Sequence, residues 1–521
     1  MGGNGAPTAC SSASYAFMGR LDSFTSSIYP HEMIQEQDSE DAPNFNVNSM
    51  AAIRPVLVSM IRLSAHMLPP YLAIGLFVLA GLGYASIYCA SVGAAILAYL
   101  CLFDERFGQM ALGHMPPLPP GLHCHRSART DAVVSMVPAL RFPYYKGTPW
   151  IMGGDMATIY PFLAFRVPAV EYTRRWLTVP SDDTKKTGGN HDFSGDEDVL
   201  DDTFDEPTHS GDHDDVPPDS AGEDGAYGVS HEAVALDIAL PKAGLDPAKP
   251  FYIVLHGLNG GSSEPYVLDI VSHALERGCG VCVMIARGCM GTPVRGSSLF
   301  HGARISDVRC SVRVLRKTLP AETPLAMVGY SMGAIVASNY AAISGKNSGL
   351  SCCVSMSGSF DSRTNMTFWH SRRMWQPLLA RSLKENFVIS HTRKIVGRGL
   401  ELSKVESTGD VLEFDTDMVA PYNGYKSVSD YYVDMSAAAE GKLAGLRTPM
   451  LAVSAMDDPI MTAGGLPIDE MEKTKDLYIL LTRTGGHVGW PVGWLPNLKM
   501  WSWMSTTSLD FCEAVIATAS L

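Results

Sequence analysis

Apolar and polar positions divide the chain into four parts. Residues 1 to 66 are mostly polar, carry an acidic patch at Glu36 to Asp41, and are expected to be an irregular tail. From Met67 to Phe103 there are 37 consecutive residues without Asp, Glu, Lys or Arg. About 20 apolar residues suffice to span a bilayer, so this stretch predicts a membrane anchor, read first as a single span. A re-entrant hairpin breaking near Gly81-Leu82-Gly83 and a buried soluble hairpin are the alternatives. Pro69 and Pro70 suit the position just before a helix, which is expected to enter the membrane from Tyr71 onward. Arg54 and Arg62 precede the stretch and Arg106 follows it, a tilt toward a cytosolic N-terminus. Residues 104 to 140, rich in Pro, His and Arg, read as a connector.

The remainder, 141 to 521, alternates between strand and helix periods. Leu177-Thr178-Val179 and Ala233-Val234-Ala235-Leu236-Asp237-Ile238 predict the two strands of a hairpin. Between them, residues 182 to 232 are rich in Asp, Gly and Pro and nearly free of aliphatics. Such a segment cannot bury enough apolar surface to offset its ordering entropy, which predicts a disordered acidic insertion. Six β-branched, apolar runs follow, at 251–255, 281–285, 325–328, 352–356, 450–453 and 477–481. Helix-like segments separate most of them. The economical reading is an α/β fold with a mostly parallel sheet and crossover helices. One interval, 360 to 445, is too long for a single crossover, and its aromatics and methionines suit a cap over the strand ends.

Charge changes the picture only locally. The net charge is −14, but 17 acidic residues and two lysines lie between Asp182 and Glu232, so everything outside that segment sums to about +1. No basic stripe with interleaved aromatics appears, which argues against a nucleic-acid partner. The 11 cysteines show neither a disulfide framework nor a zinc spacing. Cys279 and Cys282 form C-x-x-C but open a strand-like run, where small buried thiols are ordinary. No cofactor or metal is implied. Met1-Gly2 lacks the Ser or Thr that myristoylation expects at position six, which is Ala6. Asn365-Met366-Thr367 is a glycosylation sequon.

The chemistry centres on Ala326-Met327-Val328-Gly329-Tyr330-Ser331-Met332-Gly333-Ala334, where an apolar run meets Gly-x-Ser-x-Gly and continues into helical sequence. A serine on so tight a strand-to-helix turn needs small neighbours, and Gly329 and Gly333 provide them. The first of the six runs ends in Leu255-His256-Gly257-Leu258-Asn259-Gly260-Gly261, a loop able to direct backbone N–H groups into a site. The Leu258 and Met332 N–H groups are the expected oxyanion donors. The fifth run ends in Ala455-Met456-Asp457-Asp458-Pro459, with Asp458 favoured as the acid and Asp457 assigned to a turn or helix cap. The sixth ends in Thr484-Gly485-Gly486-His487-Val488, where glycines on one side and Gly489 on the other free His487 to reach inward. The order serine, aspartate, histidine, each at a strand end, belongs to α/β-hydrolases.

With these residues in view, the sequence resembles the abhydrolase-domain lipid hydrolases of the membrane-anchored branch, a group that includes bacterial relatives and the yeast medium-chain fatty-acid ethyl ester synthases. The resemblance covers about residues 140 to 521. It rests on Leu255 to Ser262, Ala286-Arg287-Gly288-Cys289, Gly329-Tyr330-Ser331-Met332-Gly333 and Glu413-Phe414-Asp415. It rests further on Gly424-Tyr425, Asp430-Tyr431-Tyr432, Asp457-Asp458-Pro459-Ile460 and Gly485-Gly486-His487. It implies a Ser331, Asp458, His487 triad and favours Asp458 over Asp457. Many members carry an N-terminal anchor, in keeping with 67–103. Two departures stand out: Gly153-Gly154-Asp155 occupies a place where relatives have Gly-His, and the acidic insertion splits a hairpin that is normally short.

The expected function is that of a membrane-anchored serine hydrolase cleaving acyl esters of lipids through an acyl-serine intermediate. Monoacylglycerol, phospholipid and medium-chain fatty-acid esters all fit. Acyl transfer to an alcohol uses the same residues and is the nearest alternative. A non-catalytic membrane scaffold and a peptidase are the remaining ones.

Overall fold

Val281-Cys282-Val283-Met284-Ile285 has no polar residue in either phase of its two-residue period, and such a strand can exist only with both faces covered. The computed structural model bears this out. It describes residues 9–26, 50–81, 91–94, 118–142, 145–180, 231–294, 299–471 and 474–520. Alternate residues of the central strands enter two separate cores. Tyr252, Val254, Val281, Val283, Ala326 and Val328 pack on one face of the sheet. Phe251, Ile253, Leu255, Cys282, Met284 and Met327 pack on the other.

The strands are β1 (Thr25–Ser26), β2 (Gly121–Cys124), β3 (Thr173–Pro180), β4 (His231–Ala239), β5 (Phe251–Leu255) and β6 (Val281–Ile285). They continue with β7 (Leu325–Tyr330), β8 (Cys352–Met356), β9 (Met450–Ala455) and β10 (Leu477–Thr482). Their order in one sheet is β1-β3-β4-β6-β5-β7-β8-β9-β10-β2. From β6 to β10 all neighbours are parallel, with Ile253 opposite Cys282 on one side and Met327 on the other. The β3–β4 hairpin joins antiparallel to β6, Trp176 facing Ala235. The expected acidic insertion, 182–232, falls almost wholly outside the described residues.

Three expectations are corrected at the N-terminal side. The tail is not irregular throughout: Ala9–Asp22 is a helix, and Phe17 and Leu21, one turn apart, are completely buried against the sheet. The Phe17 ring lies 5.3 Å from that of Phe251, and β1 pairs with β3 at the sheet edge. The connector is in part an integral element, since β2 pairs antiparallel with β10 and a helix follows at Ala128–Met136. Ser127 caps that helix by accepting from the Thr130 N–H. Finally, the helix expected from Tyr71 starts at Met50 and runs through Pro69 and Pro70 to Gly81. A search for charge-free length overlooks its earlier periodicity, in which Val56, Ser59 and Leu63 form one buried stripe. Of the stretch 67–103, residues 82–90 and 95–103 lie outside the described residues. Among the described residues, no helix is long and apolar enough to cross a membrane.

Between β8 and β9 the chain forms short helices, among them Trp369–Met374, Gln376–Leu383 and Val428–Met435. They have apolar clusters of their own, one around Val388, Ile395, Val405, Phe414 and Tyr422 and another around Tyr431, Tyr432 and Met435. The Met50–Gly81 helix lies against this insertion: Leu63 packs with Met374, Trp375 and Ile460, and the Ser59 hydroxyl donates to the Met374 carbonyl.

Candidate active site

Ser331 sits between β7 and the helix Met332–Ser344 with φ 53° and ψ −117°. A residue with a side chain pays for such a conformation, and here its surroundings enforce it. A Cβ on Gly329 would lie 2.3 Å from the Gly333 carbonyl oxygen, and one on Gly333 would lie 2.3 Å from that of Leu255. The two glycines therefore let the helix close onto β7 and β5, which lifts Ser331 to the sheet's carboxyl end. The Ser331 N–H donates to the Met356 carbonyl, tying the turn to β8.

His487 lies on the loop after β10. Its Nε2 is 2.8 Å from Ser331 Oγ and its Nδ1 is 2.8 Å from Asp458 Oδ2. With a carboxylate at Nδ1, the ring's proton belongs there, leaving the Nε2 lone pair facing the hydroxyl. Asp458 and His487 are both buried. The other oxygen of Asp458 accepts the Ile460 and Met461 N–H groups, at 2.8 Å each, so the carboxylate cannot rotate freely. The three predicted residues therefore meet.

Asp457 does something the sequence did not suggest. Its Oδ1 accepts the Gly486 N–H at 2.9 Å, linking the turn after β9 to the histidine loop. Thr158, in the helix Gly153–Ala164, acts beside it: its hydroxyl accepts the His487 N–H and donates to the Gly154 carbonyl. The Val488 N–H donates to Ser357 Oγ, and Trp501 Nε1 donates to the Val488 carbonyl. Four elements thus hold the imidazole. Thr158 stands 329 positions from His487, and no local pattern marks it.

The Gly153-Gly154-Asp155 departure has a structural role. Gly154 abuts the turn carrying Asp457, and Asp155 Oδ1 accepts from His370 Nε2 at 2.9 Å and Trp375 Nε1 at 2.7 Å. It thereby joins this helix to the insertion.

The oxyanion candidates Leu258 and Met332 belong to two segments that adjoin the serine. A Cβ at Gly257 would approach Ser331 Cβ to 3.4 Å, so the 256–261 loop borders the hydroxyl. His256 fixes that loop, with Nδ1 bonded to the Gly257 carbonyl at 2.7 Å and Nε2 accepting the Ala286 N–H. Burial lowers its pKa, so the imidazole stays neutral in this bridging tautomer. The Tyr266 hydroxyl accepts the Gly257 N–H. Met332 opens its helix, where the first N–H groups lack intrahelical acceptors.

The surface near Ser331 is apolar and rich in methionine. Half-buried Met332, Met366 and Met461 share a cluster with Tyr431 and Met435. A Cβ on Gly302 would meet Met435 Cε at 2.7 Å and Met332 Sδ at 2.9 Å.

Two other sequence features have structural roles. Cys279 and Cys282 are buried, and burial pushes the Cys279 thiol up to about 11. Asn365 of the sequon accepts the Thr462 N–H at 3.1 Å and donates to Ser359 Oγ, so its amide secures the loop after Asp458.

Among known proteins, the family described as alpha/beta hydrolase fold matches residues 252–487. A monoacylglycerol lipase of Saccharomyces cerevisiae is 34% identical over 262 residues, covering 48% of this chain and 57% of that protein. The putative esterase YheT of Escherichia coli is 30% identical over 268 residues, 50% of this chain and 77% of its own length. Phospholipase ABHD3 of Mus musculus is 25% identical over 275 residues, 51% of this chain and 64% of its own. The chain thus spans less than two thirds of the yeast and mouse proteins.

Proposed function

The chain belongs to the α/β hydrolase fold family, in the branch of lipid hydrolases that has bacterial relatives, and from that premise we propose that it cleaves acyl esters of lipids as a serine hydrolase. The reading is carried by His487, whose two ring nitrogens lie 2.8 Å from Ser331 Oγ and from Asp458 Oδ2. His487 takes the proton as Ser331 Oγ attacks the ester carbonyl, and Asp458 stabilises the imidazolium. The Leu258 and Met332 N–H groups receive the developing oxyanion. Collapse of that intermediate expels the alcohol with the proton from His487 and leaves an acyl-serine. Water activated by the same imidazole then releases the fatty acid.

The lipid character of the substrate is supported by two observations. The methionine-rich cluster beside Ser331 is apolar and adaptable, as an alkyl chain requires. The similar proteins carry the names monoacylglycerol lipase and phospholipase. The uncharged 67–103 stretch further supports a membrane-associated enzyme that meets its substrate at a bilayer. The helical insertion is then a cap over the acyl site.

The test is labelling by a fluorophosphonate probe, with hydrolysis of a monoacylglycerol measured in parallel. Wild type is expected to label and to release fatty acid, and Ser331→Ala to do neither. Equal labelling of both proteins would remove Ser331 from the reaction.

A further inference from the structure

Just beyond the His487 loop, three large apolar side chains stand in water: Trp494, Leu495 and Leu498 are 73%, 64% and 71% exposed. The segment that carries them is firmly tethered. Its approach is held by a bridge between Gly147 and Val492, by the Thr148 N–H on the Pro491 carbonyl at 3.0 Å, and by the Tyr145 hydroxyl on that same carbonyl. Trp150 Nε1 donates to the Trp494 carbonyl at 2.9 Å. Pro496 is buried within a short 3₁₀ turn, and the completely buried Trp501 closes the segment. A folded turn with so many backbone ties holds its three apolar side chains outward as a fixed feature.

The exposed charges flanking this turn in sequence have one sign. Between Asp476 and Asp510 there is no carboxylate, while Arg483 and Lys499 are exposed. On the facing segment Lys146 is exposed, and the one acid between 142 and 170, Asp155, is buried on His370 and Trp375. In a chain of net charge −14 this is a locally basic stretch on either side of Trp and Leu. Trp with aliphatic neighbours and flanking basic residues is the composition that settles at a lipid headgroup boundary. Three side chains fall well short of the ~800 Å² per partner that a standard protein interface buries. The turn follows the His487 loop, which leads from the carboxyl end of β10, the end of the sheet where Ser331 lies.

We propose that Trp494, Leu495 and Leu498 form a prong that inserts into the surface of an anionic bilayer and sets the active-site end of the enzyme upon it. This deepens the lipid-ester reading by naming the surface where substrate is met. It also provides a membrane contact independent of the 67–103 stretch.

The test uses the full chain with vesicles of phosphatidylcholine, with and without phosphatidylserine, carrying brominated acyl chains that quench buried tryptophan. Wild type is expected to show quenching that is stronger with phosphatidylserine, and Trp494→Phe to lose part of it. The double variant Leu495→Asp/Leu498→Asp is expected to hydrolyse vesicle-borne ester about tenfold or more slowly, with hydrolysis of a soluble short-chain ester unchanged. Identical quenching of wild type and Trp494→Phe, or unimpaired vesicle hydrolysis by the double variant, would overturn the prong. So would a concentration-dependent dimer that the double variant dissolves while wild type shows no quenching. If wild type is quenched but hydrolyses neither ester, the hydrolase reading fails and the prong stands.

Discussion

Gly154 lies against the backbone of Asp457 so closely that a Cβ on the glycine would sit 1.6 Å from the aspartate's carbonyl oxygen. The helix bearing Gly154 also bears Thr158, and the turn bearing Asp457 also bears Asp458, so this contact sets two supports of His487 relative to each other. Gly154→Ala is expected to push the helix and the turn apart, at a cost of about 1–3 kcal/mol. A lowered melting temperature together with slower fluorophosphonate labelling would show it. Unchanged values for both would mean that the contact relaxes without consequence.

Thr158 should behave as a positioning residue. Thr158→Val keeps the shape but leaves the His487 N–H without its acceptor, and an unpaired buried group costs about 1–3 kcal/mol. The expected result is a lower kcat with KM nearly unchanged, while Thr158→Ser restores most of the rate. Equal activity of the Val and Ser variants would show that the hydroxyl does not matter.

The neighbouring aspartates separate by size of effect. Asp458→Asn disturbs the tautomer of His487 and is expected to lower kcat by about 10⁴-fold. Asp457→Ala removes the brace on Gly486 but leaves the imidazole its Asp458 partner, so a loss nearer tenfold is expected. Steady-state kinetics of the two variants decides, and a larger loss at Asp457 would reverse the assignment.

Asp415 gives a pH-dependent stability. Burial raises its pKa from 3.8 to about 7, although the Tyr432 hydroxyl donates to it and partly opposes the rise. The folded state therefore holds a proton that the unfolded state has lost, and stability falls as pH rises from about 4 to about 7. Asp415→Asn should remove that fall, matching wild type near pH 4 and exceeding it above pH 7. Urea midpoints at both ends of the window measure the difference, and parallel curves for the two proteins would refute it.

The parts that could be read from sequence were those in which neighbouring residues carry the signal. Val281–Ile285 advertises a doubly covered strand, and Gly329, Ser331 and Gly333 advertise a strained turn, since each depends on a few adjacent positions. Ser331, Asp458 and His487 could be brought together because each follows a strand, and the sheet gathers strand ends. Thr158, Ser357 and the brace from Asp457 offered no such clue. An isolated Thr or Ser in a helix or turn looks the same whether it faces water or another loop's N–H. The N-terminal elements were missed for a different reason. Phe17 and Leu21 are two large apolar residues in a helix rich in Ala and Ser, and Val56, Ser59 and Leu63 repeat at helical spacing within a stretch read for its charges.

The helix Ala9–Asp22 packs on the hydrolase sheet, and strand β1 extends its edge. A chain shortened to begin after residue 26 would leave Phe251 without its ring partner and Trp176 and Leu177 of β3 without their outer strand partners. Each large apolar side chain so removed forfeits about 1.5–3 kcal/mol of burial, and the bared edge of β3 would offer unpaired backbone groups to other chains. Trimming the amino end to obtain a tidier protein would thus give one that melts earlier and sticks to itself.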